Sequence, residues 1–477
     1  MLRDDEQPGL VARSALRLTA WTERWIPDAF IFALIATVFV VLAALVWTPS
    51  PAGQIVDAWG NGFWDLIPFT LQMALIIITG HVLATSAPMG RAIRTIASWP
   101  TTPKGAVVLV TLFALVTSWF NWGFSLVFSA VLGREVARRV RGVDYRALGA
   151  ASVLGLGSIW AQGLSGSAAL QMATPGALQP QIRDIVSAGG LVPGGMIPFR
   201  HTIFLWQSLL SVVIEIAVVC AVMYLAAPPA NRAKTASDLG IDLGTEEGGA
   251  QASPSRTADT SPGAWLEHSP LLNLSVVGLG LVYAFRYFGR APEPLNALTV
   301  NVLNFIFLMI GVLLHRTPAR LMHAVQVATP AVWGVILQFP FYAGIAAVIT
   351  STHLNERLAN AFVSLSTAQT YPAIVAMYSA VLGVFVPSGG SKWVIEAPYV
   401  MAAAHSLKVH LGWVVAAYDL GEALANLLQP FWMLPVLGVF GLRARDVMGY
   451  TFIVALALAP VVFLLVTLLG ATLQYPL

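Results

Sequence analysis

SWFNWGFS at 118–125 and VPSGGSKW at 386–393 interrupt two long apolar stretches, one in each half of the chain, with small and polar residues that a plain spanning helix does not need. In hydrocarbon an unpaired backbone group costs several kcal/mol, so non-helical backbone survives there only when buried in protein or lining a cavity. Two such breaks in corresponding positions of two halves point to the binding site of a secondary transporter.

The surrounding composition supports a membrane setting. Of 477 residues, 57% are hydrophobic and only 10% charged, against roughly 25% charged in a soluble domain. Apolar runs at 29–47, 66–85, 105–133, 147–182, 202–226, 269–285, 295–314, 324–352, 358–391, 423–442 and 447–477 supply about eight to ten crossings of ~20 residues each. The first run is longer than the h-region of a cleaved signal, so it is expected to be retained. Cys220 is the only cysteine, which excludes an intramolecular disulfide and a cysteine metal cluster.

A net charge of +3 is not read as a nucleic-acid signal, because Lys and Arg sort by side of the membrane instead. With a cytoplasmic N-terminus, that side holds Arg3, Arg13, Arg17, Arg24, Arg91, Arg94, Lys104, Arg134, Arg138, Arg139, Arg141, Arg146, Arg232, Lys234, Arg256, Arg316, Arg320, Arg443 and Arg445. The outside holds Arg183, Arg200, Arg286, Arg290, Arg357 and Lys408, nineteen against six with Lys392 assigned to neither. The C-terminus is then external.

The same bias shapes the run 105–133. Lys104 precedes it and five arginines follow it, so both ends are cytoplasmic, yet the run is too short for two full crossings. A re-entrant hairpin turning near Asn121-Trp122-Gly123 satisfies both constraints. SGSAALQMATPG at 165–176 breaks the next crossing, since proline removes a helical hydrogen bond and glycine lowers the cost of irregular backbone. After 202–226 a polar linker at 227–268 lacks the apolar surface to fold alone. Residues 269–477 then supply a connecting helix, two helices, a second hairpin entering from outside, a second broken helix near Pro430 and Pro435, and a final helix. Residues 1–226 and 269–477 thus share one plan in opposite orientations, the inverted-repeat pattern of an all-α secondary transporter with two re-entrant hairpins and two broken helices.

The candidate site follows from these breaks. Ser388, Gly389, Gly390 and Ser391 offer backbone N–H groups at the start of a helical arm, where an anion is favoured. Lys392 opposes the dipole there, and Lys before Glu396 is the poorer order for a helix pair. The arrangement suits a substrate carboxylate, with Glu396 as a self-neutralising partner until the anion arrives. Asn121 and Ser125, four apart, fit one helical face beside Gly123; interhelical packing is the plainer use of such residues. Ser165, Ser167 and Thr174 from one broken helix, and Asn426 and Gln429 from the other, supply further walls. Asp419 and Glu422, with Glu396, are the candidates for coupling through protonation, although Asp419 also suits a watery interface. Glu215 and His81 are isolated polar groups within apolar runs. The tryptophans read as belts and packing, with Trp122, Trp160 and Trp393 as exceptions near the breaks. No Walker-type loop, cofactor motif or metal-ligand spacing is present in the sequence.

FNWGFSLVFSAVLGREVARRV at 120–140, VPSGGSKWVIEAP at 386–398 and LLQPFWMLPVLGVFGLRARDVMGY at 427–450 resemble the short-chain fatty acid transporter family. The resemblance runs over nearly the whole chain. It implies uptake of small monocarboxylates such as butyrate or acetoacetate across the bacterial cytoplasmic membrane, with H⁺ or Na⁺ as coupling ion. It also implies kinship with ion-coupled transporters that carry paired hairpins, many of them homodimers. A dicarboxylate carrier or cation antiporter on the same plan is the rival; dicarboxylates want more than the one deep cation, Lys392. A membrane-embedded enzyme is disfavoured because no nucleophile sits with a base.

Overall fold

A computed structural model describes residues 9–25, 29–173, 180–190, 192–244, 261–291, 300–354, 357, 360, 364–386 and 389–477. Among these residues every regular element is helical. The first half contains α1 (Leu10–Trp25), α2 (Ala29–Trp47), α3 (Ala52–Gly62), α4 (Ile67–Ala84), α5 (Ala87–Ala97), α6 (Pro103–Phe120) and α7 (Trp122–Arg139). It continues with α8 (Tyr145–Ala151), α9 (Ser167–Ala173), α10 (Pro180–Val186) and α11 (Trp206–Ala226). Then come α12 (Pro262–His268), α13 (Leu271–Arg290), α14 (Val300–His315), α15 (Pro318–Ala328), α16 (Trp333–Ser351), α17 (Tyr371–Phe385), α18 (Gly389–Leu407), α19 (Leu411–Asn426), α20 (Leu434–Phe440) and α21 (Ala444–Gly470).

Among the described residues, α6, α11, α13, α16 and α21 are long and apolar enough to cross a bilayer, and the bent pairs at Thr70–Leu83 with Ala87–Ala97 and Leu411–Asn426 with Phe431–Phe440 add two more. Shorter apolar helices lie at Ala33–Trp47, Asn304–His315 and Tyr371–Phe385. Large apolar side chains on many of these helices are exposed, Phe285 and Leu279 among them, as a lipid-facing surface requires. This is a multi-pass membrane protein.

The hairpin at 118–125 is an antiparallel helix pair. Thr102 caps α6 by accepting from the Gly105 N–H, with Pro103 in its first turn where the missing donor is harmless. At the tip Asn121 leaves helical geometry (φ −158°) and its Oδ1 accepts from the Phe124 N–H to start α7. Ser125 then donates to the Ala114 carbonyl on the opposite arm. With Asn121 spent as an N-cap and Ser125 as an arm-to-arm tie, the two do not form the single polar face expected from their spacing. Each arm has 18 residues, about 27 Å of helix, longer than the apolar run suggested because the arms continue into their capped, polar ends.

The second hairpin pairs α17 with α18 in antiparallel register: Tyr371 donates to the Val400 carbonyl, Tyr378 to Glu396, and Lys392 to Ser379. Its tip residues 387–388, including Ser388, lie outside the described residues. The helix α19 lies so close to α17 that a Cβ on Gly421 would strike the Ala376 carbonyl. The expected break at 165–176 is displaced: Ser167–Ala173 within it is helical, and the chain instead unwinds earlier, between α8 and α9, through a 3₁₀ turn at Ile159–Gln162. Near Pro430 and Pro435 the chain bends by 72° between α19 and the Phe431–Phe440 segment.

Two elements depart from hydropathy. Residues 10–25 carry too many polar and basic positions to register as an apolar run, yet form α1, whose Ala12, Ala15 and Thr19 face is buried and whose Thr19 meets Gly449 of α21. The linker is also not free along its described first part. Tyr145 donates its N–H to the Lys234 carbonyl, Lys234 returns one to Asp144, and Arg138 binds the Leu243 carbonyl. Arg134 meanwhile binds the Val439 carbonyl of α20. This strap joins the end of α7 to the second broken helix.

Candidate functional site

Lys392 is fully buried despite its charge, and its surroundings explain how that is tolerated. Its ammonium forms an ion pair with Glu422 of α19 and donates to the Ser379 carbonyl at 2.8 Å and the Ser379 hydroxyl at 3.0 Å. The Tyr418 ring lies beneath it, 5.1 Å from Nζ. Gly383 makes room for the pair: a Cβ there would sit 2.8 Å from Glu422 Oε2 and 3.2 Å from Lys392 Nζ. A buried charge needs a partner and further hydrogen bonds, and this one has both.

The partner differs from the sequence reading. Glu396, four residues further along α18, accepts from Tyr378 instead, while Glu422 neutralises Lys392. A helix presents positions i and i+4 on one face, but the facing helix α19 supplies a closer carboxylate than the same helix does. Among the described residues, Glu422 Oε1 is buried without a hydrogen-bond partner. The carboxylate thus holds the ammonium by one edge and leaves its other oxygen unspent.

Asp419 is one turn earlier on α19 and wholly buried, not at a watery interface. Its carboxylate receives the Ala168 N–H at 3.0 and 2.9 Å on its two oxygens, and the Ala169 N–H at 3.2 Å. These are the otherwise unpaired first donors of α9, so a carboxylate from the second half caps a helix of the first. Ser167 opens that helix and approaches Gly389 at the start of α18, where a Cβ would lie 3.0 Å from Ser167 Oγ and 3.3 Å from Glu422 Cγ. Gln171 completes the join by donating to the Gly390 carbonyl at 2.9 Å.

Ser167, Gly389, Gly390, Lys392, Asp419 and Glu422 are therefore brought together. Five other expected residues hold the broken backbone instead. Ser165 Oγ accepts the Trp122 N–H at the first hairpin tip, and the Ser165 carbonyl accepts from the Trp160 indole. Asn426 donates to the Leu156 carbonyl inside the first broken helix, while Gln429 donates to Asn426 and accepts the Phe431 N–H. Asn121 and Ser125 serve the first hairpin as described, and Gly123 is buried beside them. Thr174, Ser388 and the Ser391 side chain lie outside the described residues. Trp122 meets Trp432 edge to face at 5.2 Å, and Trp393 meets Tyr418 at 4.8 Å.

Sequence reading missed Tyr378, Ser379, Tyr418 and Gly383. The available signal was a Tyr-Ser pair and a glycine inside the arm YPAIVAMYSAVLGVF, each out of place on a merely lipid-facing helix. Glu215 of α11 is not isolated: Gln162 and Ser211 donate to its Oε1 at 2.7 and 2.8 Å. Among the described residues no cluster of three His, Cys, Asp or Glu side chains has metal-binding geometry.

Residues 10–469 match the family model described as "Short chain fatty acid transporter". A protein of Escherichia coli (strain K12), named "Putative short-chain fatty acid transporter", is 38% identical over 456 residues, 96% of this chain and 99% of its own. A protein of the same name from Haemophilus influenzae (strain ATCC 51907 / DSM 11121 / KW20 / Rd) is 34% identical over 458 residues, 95% and 98% of the two chains. Two solved structures overlay loosely, at 14% identity. They are the Alcanivorax borkumensis YdaH transporter, with TM-score 0.42 over 94% of this chain and 98% of that one, and Neisseria gonorrhoeae MtrF, with TM-score 0.40 over 94% and 97%. The family and these relatives are transporters rather than enzymes. The chain belongs to the short-chain fatty acid transporter family.

Proposed function

We propose that this protein is a secondary carrier that brings short-chain monocarboxylates such as butyrate or acetoacetate across the bacterial inner membrane together with a proton. The observation that carries this is the buried Lys392, held by a carboxylate whose second oxygen has no partner among the described residues. A substrate carboxylate offers the ammonium the same chemistry as Glu422. The two compete for one cation, and protonation of Glu422 removes the competitor, so proton and anion enter together.

Charge counting supports the coupling. Glu396, Asp419 and Glu422 are all buried around a single ammonium, and full ionisation of the four groups would leave two uncompensated negative charges within the protein. Membrane interiors penalise such an excess by several kcal/mol, so cation entry is part of filling the site. One ammonium matches one carboxylate, which favours monocarboxylates over dicarboxylates.

The carrier is read as two inverted repeats, residues 1–226 and 269–477, whose hairpins α6–α7 and α17–α18 enter from opposite faces, with the N-terminus cytoplasmic. The crossed contacts support that plan: Trp122 meets Trp432, and Gly390 meets Gln171. The test is uptake of labelled acetate, butyrate and acetoacetate into proteoliposomes under imposed pH or Na⁺ gradients. A pH gradient is expected to drive accumulation without Na⁺. Absence of monocarboxylate uptake under either gradient overturns the function, and accumulation that follows Na⁺ alone overturns the proton.

A further inference from the structure

We propose that the groove between α13 and α14 holds one anionic phospholipid, with an acyl chain along its apolar floor and the phosphate between Arg286 and Arg290. Two adjoining concavities share Tyr283. One, of about 470 Å³, is lined by Val276, Leu279, Gly280, Phe305 and Met309; the other, of about 340 Å³, is lined by Arg286, Tyr287 and Arg290. Neither is lined by a residue of the Lys392 site.

Gly280 lets α13 and α14 pack closely at the groove floor. A Cβ there would lie 2.5 Å from Met309 Sδ, 2.8 Å from Met309 Cγ and 3.4 Å from Phe305 Cζ, so Met309 and Phe305 form the floor directly against the α13 backbone. Tyr283 stands at the junction, stacked edge to face on Phe305 at 5.1 Å and beside Tyr287 at 5.9 Å. Apolar rings with polar tips at one end of a spanning helix mark the headgroup level.

Arg286 and Arg290 are four apart on one helical face, both exposed, and among the described residues neither has a carboxylate partner. Placement of Lys and Arg puts this end outside, where only six basic residues fall in the whole chain. Two of those six within one turn, at the mouth of an apolar groove, complement a phosphodiester, which guanidinium groups bind in bidentate fashion. A purely apolar occupant leaves the arginines without a purpose.

The full-length protein in neutral detergent, incubated with POPG or POPC, tests this by native mass spectrometry and by thermal unfolding. The wild type is expected to retain POPG in preference to POPC and to be stabilised selectively by POPG. R286Q/R290Q is expected to lower POPG retention about twenty-five-fold, from two basic groups of roughly fivefold each, with unfolding in the absence of lipid unchanged because both side chains are exposed. R286K/R290K is expected to keep most of the retention. No preference for POPG in the wild type overturns the proposal without recourse to any variant. So does undiminished retention in R286Q/R290Q, or a variant that loses self-association while keeping its lipid, which would assign the face to a second copy.

Discussion

Replacing Glu422 by Gln separates the two roles assigned to that carboxylate. In the wild type Glu422 neutralises Lys392 in a wholly buried setting, and removing one member of a buried pair costs about 3–5 kcal/mol because the other charge is left uncompensated. Lys392 keeps its two bonds to Ser379, so the lower end, about 3 kcal/mol, is expected in the absence of substrate. A substrate carboxylate then finds an unopposed ammonium and restores the pair. Butyrate at about 100 times its Kd stabilises by about 2.7 kcal/mol, so it should return most of what the substitution removed. The assay is thermal unfolding in detergent, with and without butyrate, at pH 5.5 and 7.5. Glu422→Gln is expected to be less stable alone, to gain more from butyrate at pH 7.5 than the wild type does, and to lose the pH dependence of butyrate binding. In proteoliposomes it should exchange butyrate but no longer accumulate it against a gradient. Unchanged affinity with an unchanged pH dependence would refute competition between Glu422 and substrate, and return the ion pair to a purely structural role.

Four further outcomes are expected. Lys392→Gln removes the cation paired with Glu422 and should abolish detectable butyrate binding in calorimetry, with a folded, monodisperse protein on size exclusion. Asp419→Asn keeps an acceptor for only part of the Ala168 and Ala169 donors and should cost about 1.5–3 kcal/mol, the worth of hydrogen bonds to a charged group, read from unfolding midpoints. Gly421→Ala drives a methyl into the Ala376 carbonyl and should destabilise by about 1–3 kcal/mol or more while also blocking transport. His410 caps α19 from just outside that segment, and its ring accepts the Trp413 N–H at 3.0 Å; burial, then the nearby His201, lowers its pKa to about 4 from 6.5. The unfolded chain binds the proton first, so stability falls as pH drops from about 6.5 toward 4, by about 3 kcal/mol at pH 4. His410→Asn, which preserves a capping acceptor, should flatten that part of the pH–stability curve.

The break at Asn121 was legible because it violates a rule that hydrocarbon enforces strictly, and Lys392 is conspicuous inside apolar sequence for the same reason. The pairing of Lys392 with Glu422 was not, since helix periodicity speaks only of neighbours on one helix, and Glu396 was the neighbour in view. Asp419 was hidden likewise: its partners are backbone N–H groups of α9, which no side-chain pattern announces. Asn426 and Gln429 were rightly singled out as polar groups at a break, but their sequence does not tell whether they face a ligand or satisfy the unwound backbone. Amphipathic α1 escaped because an apolar-run criterion sees only helices surrounded by lipid, and α1 lays one small-residue face on α21.

The reciprocal contacts between the halves carry a consequence for synthesis. The Ala168 donors wait for Asp419, 251 residues downstream, and the Leu156 carbonyl waits for Asn426, 270 residues downstream. During translation the first half must therefore remain in the bilayer with its broken helix incompletely satisfied until α19 is inserted. A truncated chain ending before α19 should accordingly be a preferred substrate for membrane quality-control proteases, and variants at Asp419 or Asn426 should lower abundance in cells before any defect in transport is measured.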